Sequence, residues 1–262
     1  MPEAPFTTVE VTAEGAVGRL TLDRPAKLNP LGPTTLREIA AAARWFDERR
    51  DVKVVVVAGR GRAFSAGADV AAFATAPAPA DPSPREVADA GRLMADAIEA
   101  MRAVTVAAVH GHCIGGGVVL MAACDLRVAT VDANFAIPEV DLGIPLAWGG
   151  IPRLVREIGP APTRDLVLTG RPFTADEAAG LGLVNRVVAP EELPAAIDAL
   201  VATLAAKSAL VLEVTTRHVD AVSRAMADPA QSWSDADSLV TALHDPESRA
   251  VARRYLEGLA GQ

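Results

Sequence analysis

The sequence predicts an α/β core over its first two-thirds and a helical last third. Three observations carry this. Two apolar runs, residues 54–58 and 105–109, are continuous and rich in β-branched residues, as strands buried on both faces are. Segments with apolar residues at helical spacing separate and follow them, so strands alternate with helices. From residue 207 onward the helical spacing persists while charge increases. The expected division is therefore a core over residues 1–206 and a helical region over 207–262, in a chain long enough for one large domain with an appendage.

Taken in order, residues 7–11 and 17–23 alternate apolar and polar side chains, the pattern of half-buried strands. Leu36, Ile39, Ala43 and Phe46 repeat at helical spacing and predict a helix over 33–49. The buried strand at 54–58 follows. Residues 71–84 are rich in Ala and Pro and read as a loop. Leu93, Ala97, Ile98 and Met101 give the next helix its apolar face, and the strand at 105–109 comes after it. A glycine-rich turn leads to a short apolar helix at 118–123 and a strand at 126–130. Helices are then expected at 150–158, 161–168, 174–179 and 191–206.

Composition narrows the function. Half of the residues are hydrophobic and 22% are charged, the profile of a globular chain. The net charge of −8 opposes a nucleic-acid partner, which needs clustered Lys and Arg. Aromatics make up only 4% and include a single tyrosine, Tyr255, too few for a platform on which bases stack. The start, MPEAPFTTVE, lacks the basic-then-apolar signature of a secretory signal, and no apolar stretch has the length of a membrane span. A cytoplasmic location without membrane attachment is expected. Cys113 and Cys124 form no CxxC pattern and read as buried free thiols of a reducing compartment. No metal is expected either: His110 and His112 flank Gly111 but lack a third ligand, and they read as hydrogen-bonded polar groups.

Two glycine motifs stand at the exits of the buried strands. The first is Phe64-Ser65-Ala66-Gly67-Ala68-Asp69; the second runs from His110-Gly111 to Gly115-Gly116-Gly117 and opens directly into an apolar helix. Glycines at a helix entrance leave main-chain N–H groups unscreened, ready for a phosphate or a developing oxyanion. Close helix–strand packing is the competing explanation for so many small residues. Neither a Walker A pattern nor GxGxxG is present, which disfavours a nucleotide phosphate, and without GxSxG, Ser65 is a poor nucleophile.

Further motifs stand in order around these two. They are Arg24-Pro25-Ala26-Lys27-Leu28-Asn29, Cys124-Asp125-Leu126-Arg127, Phe135-Ala136-Ile137-Pro138-Glu139-Val140-Asp141-Leu142-Gly143, Gly149-Gly150, and Ala178-Ala179-Gly180-Leu181-Gly182-Leu183-Val184. Taken together, and over most of the chain, the set resembles the crotonase superfamily, the enoyl-CoA hydratase/isomerase family. The resemblance implies a spiral of ββα units with a C-terminal helical trimerisation region, assembled as a homotrimer or as a hexamer of two trimers. It implies an acyl-CoA thioester as substrate, coenzyme A being part of that substrate and not a separate cofactor. It also implies that the N–H groups of Ala68 and Gly116 hold the thioester oxygen. Arg24, Ala26, Lys27, Leu28, Ala66, Asp69, Val70 and Gly115 would join them along coenzyme A.

The resemblance also exposes a departure. Hydratases of this family use two glutamates, one two residues beyond the triple glycine and one after the proline of Phe-x-x-Pro-Glu. Here those positions are Val119 and Glu139. Losing one acid/base group costs hydration a factor of about 10² to 10⁴. Moving a double bond from the 3,4 to the 2,3 position needs a single base, and an apolar neighbour raises that base's pKa. The expected activity is therefore isomerisation of a 3-enoyl-CoA by Glu139, with Val119 and Trp148 walling the acyl pocket. A hydratase with a reduced acid/base set and a non-catalytic acyl-CoA carrier are the alternatives. Asp69 and Asp125 read as turn anchors or helix caps, and Asp141 is a further acid without an assigned role.

Overall fold

The computed structural model describes residues 6–69 and 83–260. Strands β1 (Val9–Glu14) and β2 (Val17–Leu22) form an antiparallel hairpin that leads into helix α1 (Pro33–Asp47). Three similar units follow, each a long strand, a short strand and a helix. The first is β3 (Val54–Gly59), β4 (Ala63–Ser65) and α2 (Pro84–Glu99), and the second is β5 (Val104–Val109), β6 (His112–Ile114) and α3 (Gly116–Ala122). The third is β7 (Leu126–Thr130), β8 (Asn134–Ala136) and α4 (Gly150–Ile158), with a 3₁₀ turn at Pro138–Val140 between strand and helix. Helix α5 (Pro160–Thr169), strand β9 (Phe173–Thr174), helix α6 (Ala175–Gly180) and strand β10 (Arg186–Val188) complete the strands, and helix α7 (Leu193–Ala205) follows them.

The long strands build one six-stranded sheet in the order β1-β2-β3-β5-β7-β10, parallel throughout except for the β1–β2 hairpin. The short strands build a second sheet in the order β4-β6-β8-β9. Each unit therefore hands the chain from one sheet to the other. The valine run of β3 is continuous because both of its faces are covered. Val55 and Val57 join the main core with Leu36, Ile39 and Phe46 of α1 and Met94 and Ile98 of α2. Val54 and Val56 join Val106 and Val128 under Ile197, Leu200 and Val201 of α7.

The strands expected at 54–58, 105–109 and 126–130 appear within one residue of those limits. The first strand differs, running from Val9 to Glu14. Thr7 and Thr8 are held instead by Glu38, whose two carboxylate oxygens accept from both their main-chain amides and both their hydroxyls at 2.7–2.9 Å. Helix α3 starts two residues earlier than expected, since the glycines form its first turn. Most of the loop expected at 71–84 lies outside the described residues. Its last residue is already helical: Ser83 caps α2 and exchanges hydrogen bonds with Glu86.

The chain ends in α8 (Ala209–Arg224), α9 (Asp235–His244) and α10 (Pro246–Ala260). Helix α9 packs along α2 and carries α10 with it, whereas α8 buries none of its residues. Among the described residues no single helix is long and apolar enough to cross a membrane.

Candidate active site

The two glycine motifs meet because buried polar groups stitch their loops together. Asn29, buried in a left-handed conformation (φ 53°), donates through Nδ2 to the carbonyls of Arg60 and Ala63 at 2.9 and 2.8 Å. Its Oδ1 accepts from the Arg24 amide at 2.9 Å. The Ser65 hydroxyl donates to the Asn29 carbonyl and accepts from the Gly67 amide. Ser65 thus shapes a turn, in keeping with its poor standing as a nucleophile. Leu31 N–H donates to Gly67 O and Asp69 N–H donates to Leu31 O, which closes a parallel bridge centred on Ala68. In such a bridge the central residue turns its own N–H away from the partner strand.

Gly67 supplies the contact to the second motif. Its φ is +86°, and a Cβ there would stand 2.6 Å from the Ile114 carbonyl oxygen and 3.6 Å from the Gly116 nitrogen. The exits of β4 and β6 therefore touch. Gly116 is the first residue of α3, so its N–H has no acceptor within the helix. The preceding Gly115 (φ 49°) donates its N–H to the Ala136 carbonyl of β8 at 2.8 Å, which ties the third unit to the same point.

That tie delivers Glu139. The 3₁₀ turn after β8 sets its carboxylate against Gly115 so closely that a Cβ at Gly115 would overlap Oε1, with Oε2 only 3.4 Å away. Glu139 is 9% exposed. Its Oε2 is buried without a hydrogen-bond partner. Burial pushes its pKa up to about 7, against a hydrogen bond from its own main-chain amide that lowers it. A carboxylate in that state takes and returns protons near neutrality. Val119, on α3, is fully enclosed and packs toward Gly150.

Trp148 completes the frame. It is 6% exposed and left-handed at φ 62°. Its indole lies against Gly116 of α3 and Gly91 of α2, where any Cβ would overlap the ring. The Arg153 guanidinium, fully buried, donates to the Gly149 and Trp148 carbonyls at 3.2 and 3.4 Å, while Asp235 of α9 accepts from the Gly149 amide at 2.8 Å.

Residues 12–261 match the family model described as enoyl-CoA hydratase/isomerase. The chain belongs to the enoyl-CoA hydratase/isomerase family. It is 36% identical over 215 residues to the probable enoyl-CoA hydratase echA8 of Mycobacterium tuberculosis, covering 82% of each chain. It is 33% identical to the crotonyl-CoA hydratase of Syntrophomonas wolfei, covering 94% of this chain and 95% of that one. The crystal structure of an enoyl-CoA hydratase from Mycobacterium avium subsp. paratuberculosis superimposes with a TM-score of 0.87 at 27% identity, over 96% of this chain and all of that one. As an enzyme of this family the chain has an acyl-CoA thioester as its class of substrate, and the ordered motifs and the crotonase fold agree with that membership.

The remaining expected site residues are placed as follows. Arg24 pairs with Asp69 at 3.1 Å, both partly shielded. Lys27 is exposed at the end of the 3₁₀ turn Pro25–Lys27, and the left-handed Leu28 (φ 60°) accepts the Ala66 amide at its carbonyl. Val70 lies outside the described residues. Asp125 is a turn anchor, accepting from the Thr105 amide and hydroxyl at 2.7 Å. His110 is hydrogen-bonded through Nε2 to the Gly61 carbonyl at 2.8 Å. Asp141 turns toward Gly170 and not toward Gly115. Sequence reasoning missed Gly91, Arg153 and Asp235. A glycine inside a helical repeat was the one signal of this group that sequence carried.

Proposed function

We propose that this enzyme shifts the double bond of a 3-enoyl-CoA to the 2-position, with Glu139 as the only proton carrier. One observation carries the reading. The Glu139 carboxylate is buried and has an unpartnered oxygen beside Gly115, and the sequence has Val119 at the position where the resemblance puts a second acid. The ionised carboxylate takes a proton from C2, and the electron pair moves onto the thioester oxygen as a dienolate. The amides of Ala68 and Gly116 donate to that oxygen, each contributing about 3–4 kcal/mol to the transition state. The protonated Glu139 then returns its proton at C4, the double bond settles between C2 and C3, and the carboxylate is regenerated. In this reading Arg24, Ala26, Lys27, Leu28, Ala66, Asp69 and Gly115 line the coenzyme A moiety, as the resemblance implies.

Hydration of a 2-enoyl-CoA is the second reading, favoured by the hydratase names of relatives 33–40% identical to this chain. In that case Glu139 and main-chain groups alone orient the water. Incubation with 3-enoyl- and 2-enoyl-CoA separates the two, because hydration adds the mass of water and isomerisation leaves the mass unchanged. Wild type is expected to isomerise, and Glu139→Gln to lose a factor of about 10² to 10⁴ in kcat. Isomerisation that survives Glu139→Gln rules out the single-carboxylate mechanism, and rapid hydration of crotonyl-CoA removes the meaning given to Val119.

A further inference from the structure

The indole of Trp148 bridges two helices beside the proposed carbonyl site. Its six-membered edge (Cζ3, Cε3, Cη2) lies on Gly116, and its fused bond lies on Gly91 in the middle of α2. Glycine weakens a helix interior, and a left-handed conformation is one that bulky side chains avoid. Both local costs serve one placement. The turn that carries the ring is also fastened: Asp235 holds the Gly149 amide, and Arg153 holds the Gly149 and Trp148 carbonyls. Arg153 is itself pinned by Asp96 and Glu99 of α2 at 2.8 and 2.6 Å. With its main chain held from α4 and α9 and its ring lying between α2 and α3, the side chain is a fixed wall, not a gate.

We infer that Trp148 is the specificity-determining residue of this site, an acyl-length stop that restricts the enzyme to short-chain acyl-CoA thioesters of about crotonyl size. The inference rests on the reading of Ala68 and Gly116 as the carbonyl site. With the carbonyl there and Glu139 against Gly115, the first carbons of the acyl group lie between them. The tail of a longer chain then needs the space beside Gly116 that the indole occupies. Glycine at 91 and 116 lets the ring sit directly on both helix backbones, so the ring fills that space completely.

The test uses the full chain, with butyryl-CoA and decanoyl-CoA as unreactive probes in calorimetric titrations, and 3-butenoyl- and 3-decenoyl-CoA as substrates. Wild type is expected to favour the short member of each pair by tenfold or more, on the scale by which apolar pockets discriminate chain size. Trp148→Ala should erase or reverse that ratio, and Trp148→Phe, which keeps a planar wall and a better chance of native packing, should narrow it. Equal wild-type binding of both probes, or an unchanged ratio in either variant with native circular dichroism, overturns the inference. Length discrimination among saturated thioesters without turnover of any enoyl-CoA would leave the stop standing and remove the isomerase. Turnover without discrimination would do the reverse.

Discussion

Burial raises the Glu139 carboxyl from its ordinary 4.5 to about 7, and among the described residues no neighbouring charge offsets it. Two consequences follow from that one shift. In the isomerisation we propose, Glu139 acts as the base in its ionised form, so kcat/KM should rise with pH through about 7 and then level off. For stability, the native state binds the proton more tightly than the unfolded chain does. Folding stability is therefore lost as pH rises from 4.5 to about 7, with the whole penalty present above that window. The penalty is on the order of 3 kcal/mol. Glu139→Gln removes it, so the variant should gain stability over wild type from pH 5 to pH 8, measured by urea unfolding at both. An identical gap at the two pH values would mean that Glu139 does not titrate in that range. The residue itself was legible from its place after proline in Phe135-Ala136-Ile137-Pro138-Glu139. Its isolation was not, since that depends on which neighbours the tertiary fold brings to Gly115.

At the scale of elements, α2 carries a contradiction that only packing resolves. Gly91 sits mid-helix, where replacement by alanine ordinarily stabilises by about 1 kcal/mol. Here the new methyl would meet the Trp148 indole. Gly91→Ala is therefore expected to destabilise by about 1–3 kcal/mol, as overpacked cores do. In a Trp148→Ala background the same change should turn stabilising, and a double-mutant cycle reads the coupling. Additive effects would show that the two residues do not touch. The same helix supplies Glu99, which Arg153 and Arg156 both engage. Burial alone would raise the Glu99 pKa, but the two guanidiniums outweigh it and hold the carboxylate below its ordinary range. Its contribution is present above pH 4.5 and is lost as pH falls through the depressed value. Arg153→Leu leaves Glu99 short of a partner and should cost about 3–5 kcal/mol at pH 7, shrinking in acid. The long elements were legible because β-branched runs and helical spacing need about five residues or more to register. Strands β4, β6 and β8 were not: each has three residues, too few for a period, and their sheet exists only through pairing with one another. Gly91, Arg153 and Asp235 stayed hidden for the same reason, being 57 and 86 residues from partners that define them.

At the scale of the whole molecule, α8 rests on its own chain with one half-buried side, near β5, and turns the other side to solvent. Leu210, Val211, Val214, Val219 and Val222 are all more than half exposed, yet none of the helix is buried. At about 100° per residue these five fall on one half of the helix surface. Met226 and Trp233, more than two-thirds exposed, extend the apolar area beyond its end. Monomers rarely leave such an apolar surface to water, and among the described residues these side chains stay exposed. A second copy of the chain is the occupant we propose, consistent with the trimeric assembly that the resemblance implies. The active-site frame would depend on it indirectly, since α9, which follows α8, supplies the Asp235 that fastens the Trp148 turn. Val211→Lys combined with Val214→Lys puts two charges on that surface without touching the interior. The pair should convert an oligomer to smaller species in size-exclusion chromatography with light scattering, and kcat/KM should fall with protein concentration as assembly is lost. A wild-type chain that runs as a monomer at micromolar concentration would show that α8 faces solvent.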